Sequence, residues 1–443
     1  MTLDEVKKTF SGAIITPGDS NYDQASAILI RKGSPAIVFA CATPQDVVLA
    51  LSYARATDLI VSVRSGGHSN AGLSTNDGGV IIDVTLLNSV EVLDKQTGRV
   101  RIGAGAKWFD AAKALEEYGL AISSGDTRTV GVSGLTLGGG IGWMVRKYGL
   151  TIDSLLSAQL VLANGEILEV SAESYPDLFW AVRGGGGNFG VATSFEFSAH
   201  QVSDVFFGNI VYPLVDAEAQ LMAWRDYMRT ASEDLTTSAF LTPVMGPEAP
   251  AMFIVAACWA GDVADADAAL GPLRRLPGKP VSDTVKQEPY YAVLEEAKVP
   301  QGMHIEVNNA FFQSLTDEVI NKLAAAKRDH NLMFQVRYLG GAMNRVAPNA
   351  AAFGHRDSEV MVLSPLILPG GTSEEAIQAA LEPWYDIAKD SKGAYVNFFS
   401  RNEDRTVQAA YLPETLKRLE QIKAKYDPQN IFNQNLNIKP VKE

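Results

Sequence analysis

The sequence has few cysteines, no metal-binding pattern of histidines and no excess of basic residues. Its two cysteines among 443 residues, Cys41 and Cys258, each lie in an apolar run, which excludes a disulfide scaffold and a cysteine-rich metal site. The 38 lysines and arginines are outnumbered by 51 aspartates and glutamates, so the net charge of −13 argues against nucleic acid as a partner. The histidines show no metal-ligand spacing, and no metal site is predicted.

Long apolar segments are also missing. No run of about 18 apolar residues occurs, so no membrane partner is predicted. The first residues, MTLDEVKKTF, lack a basic leader followed by an apolar stretch, and the protein is therefore expected in the cytoplasm. Apolar residues make up 47% and charged residues 20% of the chain, values typical of folded proteins, and the length predicts two or three domains. The composition does not indicate an oligomeric state.

Hydrophobic periodicity divides the chain near residue 200. Before it, the pattern predicts strands at 36–42, 60–65, 79–84 and 89–93, helices at 43–55, 107–118 and 175–182, and a hairpin over 155–170 turned by Asn164-Gly165. Residues 125–149 contain eight glycines and show little period. After residue 200, strands alternate with longer helices at 216–229, 262–275, 316–328 and 374–389, and a last helix spans 413–426. This second part is typical of an α+β domain.

The glycine turn Arg64-Ser-Gly-Gly-His-Ser69 follows a predicted strand. Glycines let backbone N–H groups approach a phosphate closely and Arg64 could neutralise its charge, so the turn suits a pyrophosphate. An imidazole at such a turn, that of His68, is also a candidate nucleophile toward a bound cofactor. The alternative is an ordinary turn with a structural histidine.

Two further glycine blocks lie at 129–143 and 184–187. The first contains near-matches to a dinucleotide fingerprint, but it is deep in the domain and no good helix is expected after it, which disfavours a nicotinamide-binding Rossmann domain. In the second, four successive glycines imply backbone that lies against something flat or bulky.

The order of motifs resembles that of the berberine bridge enzyme-like flavoprotein oxidases of the vanillyl alcohol oxidase superfamily. The resemblance extends over essentially the whole chain. It rests on the turn at 64–69, Thr129-Val-Gly-Val-x-Gly, Lys147-Tyr-Gly-Leu-x-x-Asp153, Asp177-Leu-Phe-Trp-Ala, Gly-Gly-Asn188-Phe-Gly190 and Tyr426-Asp-Pro-x-Asn-x-Phe432.

This resemblance implies an α+β fold. It consists of a two-lobed FAD-binding domain of the vanillyl alcohol oxidase type and an α+β substrate domain with an antiparallel sheet covered by helices. The expected boundaries are 1–203 for the FAD-binding domain, 204–402 for the substrate domain and 403–443 for a C-terminal return to the FAD-binding domain.

The resemblance also assigns cofactor residues. His68 matches the histidine that bonds covalently to the 8α carbon of FAD, and the rest of the turn, Arg64, Ser65, Gly66, Gly67 and Ser69, would wrap the pyrophosphate. Other residues expected at the FAD are Val130, Gly131, Ser133, Gly134, Gly142, Gly190, Val191, Asn435 and Asn437. The small Val130 matches an oxygen-permissive position, which favours an oxidase.

Three residues depart from the family pattern. Thr127 stands where many members have a second flavin-bonding cysteine, so a single covalent link through His68 is expected. Leu135 replaces a histidine that contacts the flavin in plant members. Phe398 replaces the second tyrosine of Tyr-x-Asn-Tyr, which serves as the base, and this leaves the proton acceptor open.

Tyr395, the nearest phenol, is the candidate catalytic residue, through a hydrogen bond to substrate. The alternative is a tyrosine on a sheet face with its hydroxyl in solvent. Gln335, Arg337, Tyr338, His355 and Arg356 lie on or near substrate-domain strands, and Gln335 and Arg337 are expected on one face.

The function that this implies is an FAD-dependent oxidase. It would take a hydride from a C–H next to an OH or NH of a small-molecule alcohol or amine, and O2 would reoxidise the flavin to give H2O2. Alternatives are a dehydrogenase with a non-oxygen acceptor, a sugar or oligosaccharide oxidase of the same family, and a flavin-binding protein without turnover. A nicotinamide dehydrogenase is the weakest alternative.

Overall fold

Four β-sheets form the framework of the part of the chain that the structure describes. The structure is a computed structural model that describes residues 1–202, 204–296 and 302–441. The first sheet has four strands in the spatial order Ala13–Ile15, Ile37–Ala40, Val80–Asp83, Val61–Arg64. The second has five, in the order Val90–Asp94, Arg99–Gly103, Val191–Ser198, Leu155–Val161, Ile167–Ser171. Leu120–Ala121 pairs with His200–Gln201 in a short third sheet.

Local signals in the N-terminal half predicted these elements well. Thr43 caps the helix Pro44–Thr57 by a capping box with Asp46, and Pro44 occupies its first turn. The hairpin is confirmed as well, with Val161 opposite Ile167 and Gly165 at a φ of +89° in the turn.

The fourth sheet is antiparallel and has eight strands. Seven of them lie in the order Ser282–Asp283, Asp204–Pro213, Met252–Trp259, Leu235–Leu241, Phe334–Tyr338, Val360–Pro369, Met303–Phe312, and Lys286–Pro289 pairs with Asp204–Pro213. Helices Ala217–Met228, Asp317–His330 and Glu374–Ala388 bury apolar side chains against this sheet in one core. The predicted α+β class with a helix-covered antiparallel sheet is confirmed.

The C-terminal residues pack into the core of the N-terminal part. Leu419, Phe432 and Ile438 belong to the same apolar cluster as Phe39 and Trp108. The predicted boundaries at 203 and 402 stay predictions, and residue 203 itself lies outside the described residues.

The remaining helices of the described residues have 4 to 14 residues. They are Leu3–Lys7, Tyr22–Ser26, Trp108–Glu116, Val132–Leu137, Val145–Tyr148, Pro176–Val182, Ala266–Leu270, Ala342–Arg345, Asp404–Ala410 and Pro413–Tyr426. Single turns of tighter helix lie at Thr151–Asp153, Val263–Asp265, Pro272–Arg275, Tyr290–Val293 and Val396–Phe398.

Two helix predictions were wrong. The expected helix at 262–275 is split into Val263–Asp265, Ala266–Leu270 and Pro272–Arg275. The break after Leu270 falls at Pro272, which lacks the N–H that would continue the hydrogen-bond ladder. Conversely, the block at 125–149 contains the helix Val132–Leu137. This helix buries five of its six residues, so it has no polar face and therefore no helical period in the sequence.

Both cysteines are free and buried, as predicted. Among the described residues, no helix has the length and apolar character needed to cross a membrane.

Candidate functional site

A cavity of about 690 Å³ lies where the N-terminal sheets, the eight-stranded sheet and the C-terminal segment meet. The N-terminal part contributes residues 65–71 and glycine-rich backbone, and the C-terminal segment contributes Phe432 to Leu436. Strands of the eight-stranded sheet close the remaining side. The wall therefore combines three parts of the chain that are far apart in sequence.

The turn at 64–69 starts at the carboxyl end of the parallel strand Val61–Arg64, the edge where open α/β sheets bind ligands. Gly67 has a φ of +67°, which favours glycine. The backbone N–H groups of Gly66, Gly67, His68 and Ser69 have no hydrogen-bond acceptor among the described residues. Such consecutive unpaired donors form a nest for an anion, so the turn fits a pyrophosphate.

Arg64 has several partners within the protein. Its guanidinium donates to Asp83 Oδ2 at 2.5 Å, and also to the carbonyls of Ala25 and Ala27. Asp83 lies directly opposite Arg64 on the neighbouring strand, so the charge of Arg64 is already balanced inside the protein. A phosphate at this turn would rely on backbone N–H groups.

His68 lies between two cavities. It lines the main cavity and a second, more open one of about 1170 Å³ on the other side of the turn. Its Nε2 lies 2.8 Å from Thr129 Oγ1. Burial, with the nearby charge of Lys107, lowers the pKa of His68, so the imidazole is neutral near pH 7. A neutral, half-buried imidazole has a lone pair free to act as a nucleophile.

Glycines let the two cofactor-facing loops touch. The backbones of Gly66 and Gly131 lie so close that a Cβ on either residue would overlap the other. Gly134, by contrast, faces open space within the wall of the main cavity. The combination of an anion nest, a nucleophilic imidazole and a glycine-lined slot fits a flavin dinucleotide.

Most of the predicted site residues line the main cavity. They are Ser65, Gly66, Gly67, His68, Ser69, Val130, Gly131, Ser133, Gly134, Gly190, Tyr395 and Asn435. Four do not: Arg64, which borders the second cavity, and Gly142, Val191 and Asn437. Gly142 packs against the carbonyl of Ser124, and Val191 is buried in a strand.

The C-terminal segment is tied to the glycine loop at 184–190. The Asn188 side chain donates to the carbonyls of Gly185 and Leu436 and accepts from Ile438 N–H. Asn435 donates to the carbonyl of Gly187 at 3.3 Å. The C-terminal residues thereby become part of the cavity wall.

Tyr395 is buried and its hydroxyl is hydrogen-bonded. The hydroxyl oxygen accepts from Gly140 N–H and from Asn397 Nδ2, both at 2.9 Å. The alternative of a hydroxyl in solvent is therefore wrong. Burial raises the pKa of Tyr395 to about 12, so the phenol stays neutral. Phe398, whose ring centre lies 5.4 Å from that of Tyr395, adds an apolar surface to the same wall.

Sequence reasoning missed Asp126, a carboxylate in the cavity wall. Arg337 donates to Asp126 Oδ2 and to the carbonyl of Ile141, and the Thr127 hydroxyl donates to Asp126 Oδ1 at 3.0 Å. Burial alone would raise the pKa of Asp126, but the charge of Arg337 and the hydrogen bonds from Arg337 and Thr127 together outweigh burial and lower that pKa. The sequence shows only an acidic residue next to Thr127. Its pairing with Arg337 cannot be recognised there, because the two residues of the pair are 211 positions apart.

Gln335 and Arg337 do face the same way, as predicted. Gln335 lines the cavity next to Phe240, which is paired with it on the neighbouring strand. Asn209 also lines the cavity, from a strand that lies two strands beyond that of Phe240.

The other predicted residues have structural contacts. His355 Nε2 lies 3.0 Å from the carbonyl of Ala410, and Arg356 makes two 2.7 Å hydrogen bonds to Asp153.

The described residues contain no cluster of histidine, cysteine and acidic side chains that could hold a metal ion.

Comparison with known proteins agrees with this geometry. Residues 35–171 match the FAD binding domain model and residues 394–439 match the berberine and berberine-like model. The chain is 32% identical to (R)-6-hydroxynicotine oxidase of Paenarthrobacter nicotinovorans over 98% of this chain and 97% of that protein. It is 31% identical to an FAD-linked oxidoreductase of Bacillus subtilis, YgaK, with 98% of each chain covered.

Solved structures show the same fold. The crystal structure of 6-hydroxy-D-nicotine oxidase from Arthrobacter nicotinovorans superposes with a TM-score of 0.87 and 29% identity, covering 98% of this chain and 99% of that one. Xylooligosaccharide oxidase from Myceliophthora thermophila superposes with a TM-score of 0.88 at 23% identity, covering 99% of each chain, which shows the fold alone. The chain belongs to the berberine bridge enzyme-like family of FAD-linked oxidoreductases and is an FAD-dependent oxidase.

Proposed function

We propose that this oxidase carries FAD through a single covalent bond to His68 and oxidises a small aromatic or alicyclic amine or alcohol, with O2 as acceptor and H2O2 as product. When bound, FAD accepts a hydride from a substrate C–H next to NH or OH and passes the electrons to O2. The observation that carries the proposal is the position of His68 in the cavity wall, beside a turn with four backbone N–H groups that have no acceptor among the described residues.

The residue at position 127 supports single attachment. Thr127 lines the cavity where a second flavin-bonding cysteine would stand, and a hydroxyl of ordinary pKa is a weak nucleophile without an adjacent base. The Thr127 hydroxyl instead donates to Asp126 at 3.0 Å.

The shape and chemistry of the substrate side support a mostly apolar substrate. Its wall carries the carboxamides of Asn209, Gln335 and Asn397, with Asp126 and Tyr395, among apolar and aromatic side chains: Trp143, Phe207, Phe240, Val307, Leu363, Pro365 and Phe398. An oligosaccharide would bring more hydroxyls than these few polar groups can pair with, and unpaired polar groups are costly to bury. A flat ring with one or two hydrogen-bonding groups is complementary to the wall.

The proton chemistry favours an amine over an alcohol. Hydride loss from an alcohol needs a base, whereas a neutral amine can lose a hydride without one. Tyr395 is neutral at working pH, Phe398 has no hydroxyl, and the lowered pKa of Asp126 makes it a weak base. Tyr395 instead has a hydroxyl proton left to donate to a substrate nitrogen or oxygen.

Replacement of His68 tests the proposal. The wild-type protein should retain yellow, fluorescent flavin after acid precipitation, and His68→Ala should release all of it. His330→Ala, an exposed histidine at a helix end, is the matched control and should retain the flavin. Acid-stable flavin in His68→Ala, or none in the wild type, would contradict the proposed attachment.

Substrate class is tested with a peroxidase-coupled H2O2 assay. A panel should compare N-heterocyclic amines, aromatic alcohols and oligosaccharides at the same concentration. Bleaching of the flavin absorbance under anaerobic conditions serves as a second readout. We expect the highest rate of H2O2 formation with the ring amines. Preferred oxidation of oligosaccharides would overturn the substrate proposal, and flavin bleaching without H2O2 would favour a non-oxygen acceptor.

A further inference from the structure

The charged side chains that line the main cavity are all acidic in the part of the chain that the structure describes. They are Asp126, Glu295 and Glu296, and no lysine or arginine of that part belongs to the wall. Backbone hydrogen bonds hold two of them side by side. The Glu295 N–H donates to the Asp126 carbonyl, and the Arg128 N–H donates to the Glu295 carbonyl, both at 2.9 Å. One edge of the cavity is therefore negative.

The ion pair of Asp126 and Arg337 presents its negative end to the cavity. The Asp126 side chain is 33% exposed and lines the cavity, whereas the Arg337 side chain is 3% exposed and does not. Arg337 is held in its buried position by a hydrogen bond to the Ile141 carbonyl at 3.2 Å. A ligand in the cavity thus meets the carboxylate first, and the guanidinium lies behind it.

Asp126 is ionised and has hydrogen-bonding capacity left. Its lowered pKa keeps the carboxylate charged near pH 7. A carboxylate offers about four acceptor sites, of which Arg337 and the Thr127 hydroxyl each occupy one. The remaining sites can accept from a donor of a bound ligand.

Aromatic side chains in the wall favour the same sign of charge. The Trp143 ring centre lies 5.8 Å from the guanidinium carbon of Arg337 and 5.0 Å from the ring centre of Phe207, so this ring adjoins the ion pair. Trp143, Phe207 and Phe240 all line the cavity. Aromatic ring faces attract cations, most strongly where water is excluded. The rings are independent of the acidic residues, and both features point to a cationic ligand.

We propose that Asp126 is a specificity-determining residue that binds a positively charged nitrogen of the substrate, and that Arg337 positions its carboxylate. This inference rests on the proposed function and narrows its substrate class to amines that bind as cations. The bound ammonium passes its proton to water before the hydride is lost, so Asp126 contributes to affinity and takes no proton itself. Substrates with a carboxylate, such as hydroxy acids, are disfavoured because they would place like charges together.

Three probes that share a benzyl group and differ in charge test this inference. They are benzyltrimethylammonium, benzyl methyl ether and phenylacetate. None has a C–H next to an OH or NH, so all three stay unreacted. Their dissociation constants are measured with holoprotein at pH 7, from the change in flavin absorbance under anaerobic conditions.

We expect benzyltrimethylammonium to bind the wild type at least about tenfold more tightly than phenylacetate, with the neutral ether between them. Equal binding of the cation and the anion, or tighter binding of the anion, would overturn the inference.

Asp126→Asn keeps the size of the side chain and removes its charge. The preference for the cation over the anion should fall about tenfold, while the affinity for the ether stays within about twofold. Asp153→Asn is the matched control, because Asp153 also pairs with a buried arginine, Arg356, and lies outside the cavity wall. It should keep the wild-type preference.

A purely structural role of Asp126 has a different signature. Asp126→Asn would then weaken the binding of all three probes by the same factor, and this result would refute the specificity role. Should the variant fail to fold, the order of the three probes in the wild type still decides the inference.

The titration requires neither turnover nor a covalent flavin bond. Loss of the expected probe order therefore overturns this inference alone and leaves the tests of His68 and of H2O2 formation valid. Failure of every amine in the H2O2 assay would instead defeat the proposed function, whatever the probe order.

Discussion

At the scale of single residues, the hydroxyl of Tyr395 stabilises the protein and can also contact substrate. It accepts hydrogen bonds from Gly140 N–H and Asn397 Nδ2, and it keeps its own proton as a donor. Because burial raises the pKa of Tyr395 to about 12, it does not act as a base in the range where enzymes are usually assayed. It can orient a substrate by hydrogen bonding.

Tyr395→Phe should therefore lower kcat/KM without changing the shape of its pH profile between pH 6 and about 10. A lost hydrogen bond of about 1.5–3 kcal/mol corresponds to a fall of roughly ten- to a hundredfold. Tyr212→Phe, which removes a buried hydroxyl bonded to the Leu273 carbonyl in the other core, is the control for stability and should keep kcat/KM. Disappearance of an alkaline limb in Tyr395→Phe would instead indicate that the tyrosine acts as a base.

At the scale of elements, the helix Pro413–Tyr426 anchors the C-terminal segment through a buried lysine. Lys423 Nζ donates to Asp427 Oδ2 at 2.7 Å and to the carbonyls of Asn188 and Phe432, and both charged side chains are fully buried. Asp427 in turn accepts from the N–H groups of Ile431 and Phe432. This network joins the last helix, the glycine loop and the C-terminal segment at one point.

Lys423→Met should destabilise the protein by about 3–5 kcal/mol, because Asp427 would be left as an unpaired buried charge. Thermal unfolding should show a fall in Tm of several degrees. Lys425→Met, on the exposed face of the same helix, breaks a surface pair with Asp177 and should cost no more than about 1 kcal/mol. Equal Tm values for the two variants would contradict the proposed role of the buried network.

At the scale of the whole molecule, ion pairs made by two buried arginines join the two parts of the chain around the cavity. Arg337, on a strand of the eight-stranded sheet, pairs with Asp126 of the N-terminal part, and its side chain is only 3% exposed. Arg356 pairs with Asp153 by two hydrogen bonds nearby. Both contacts help keep the substrate wall at a fixed distance from the cofactor-binding loops.

Arg337→Met should cost stability, by less than the about 3–5 kcal/mol of a fully buried pair, because the Asp126 carboxylate that loses its cation is itself 33% exposed. Arg345→Met, which removes an exposed pair with Glu233, is the control and should cost no more than about 1 kcal/mol. Tm measurements of both variants at pH 7 check this. Unchanged stability in Arg337→Met would rule out the structural role of the pair.

The same pair has a defined pH dependence. The pKa of Asp126 is lower in the folded protein than in the unfolded chain, where it is about 3.9. The ion pair therefore contributes its full stability above that unfolded-state pKa, and this stability is lost as the pH falls through the folded-state pKa. The difference in Tm between wild type and Arg337→Met should therefore shrink on acidification below about pH 4. A constant difference across that range would indicate that charge on Asp126 does not carry the effect.

The sequence by itself determined the local elements and the order of the motifs. Capping residues Thr43 and Asp46, the Asn164-Gly165 turn and the period of residues 413–426 act between near neighbours, so each can be recognised in a short window. The same holds for the turn at 64–69, whose glycines and histidine are adjacent in the chain.

The tertiary structure decided which side chains are free for chemistry. Arg64 is neutralised by Asp83, and Asp126 meets Arg337 across 211 positions, which no local pattern can indicate. The helix Val132–Leu137 was not predicted because it is buried on nearly every side. Hydrophobic periodicity in a sequence indicates only helices that have one buried and one exposed face. Charge pairing and burial depend on the distances between remote segments, so only the folded chain fixes the protonation and orientation of the residues around His68.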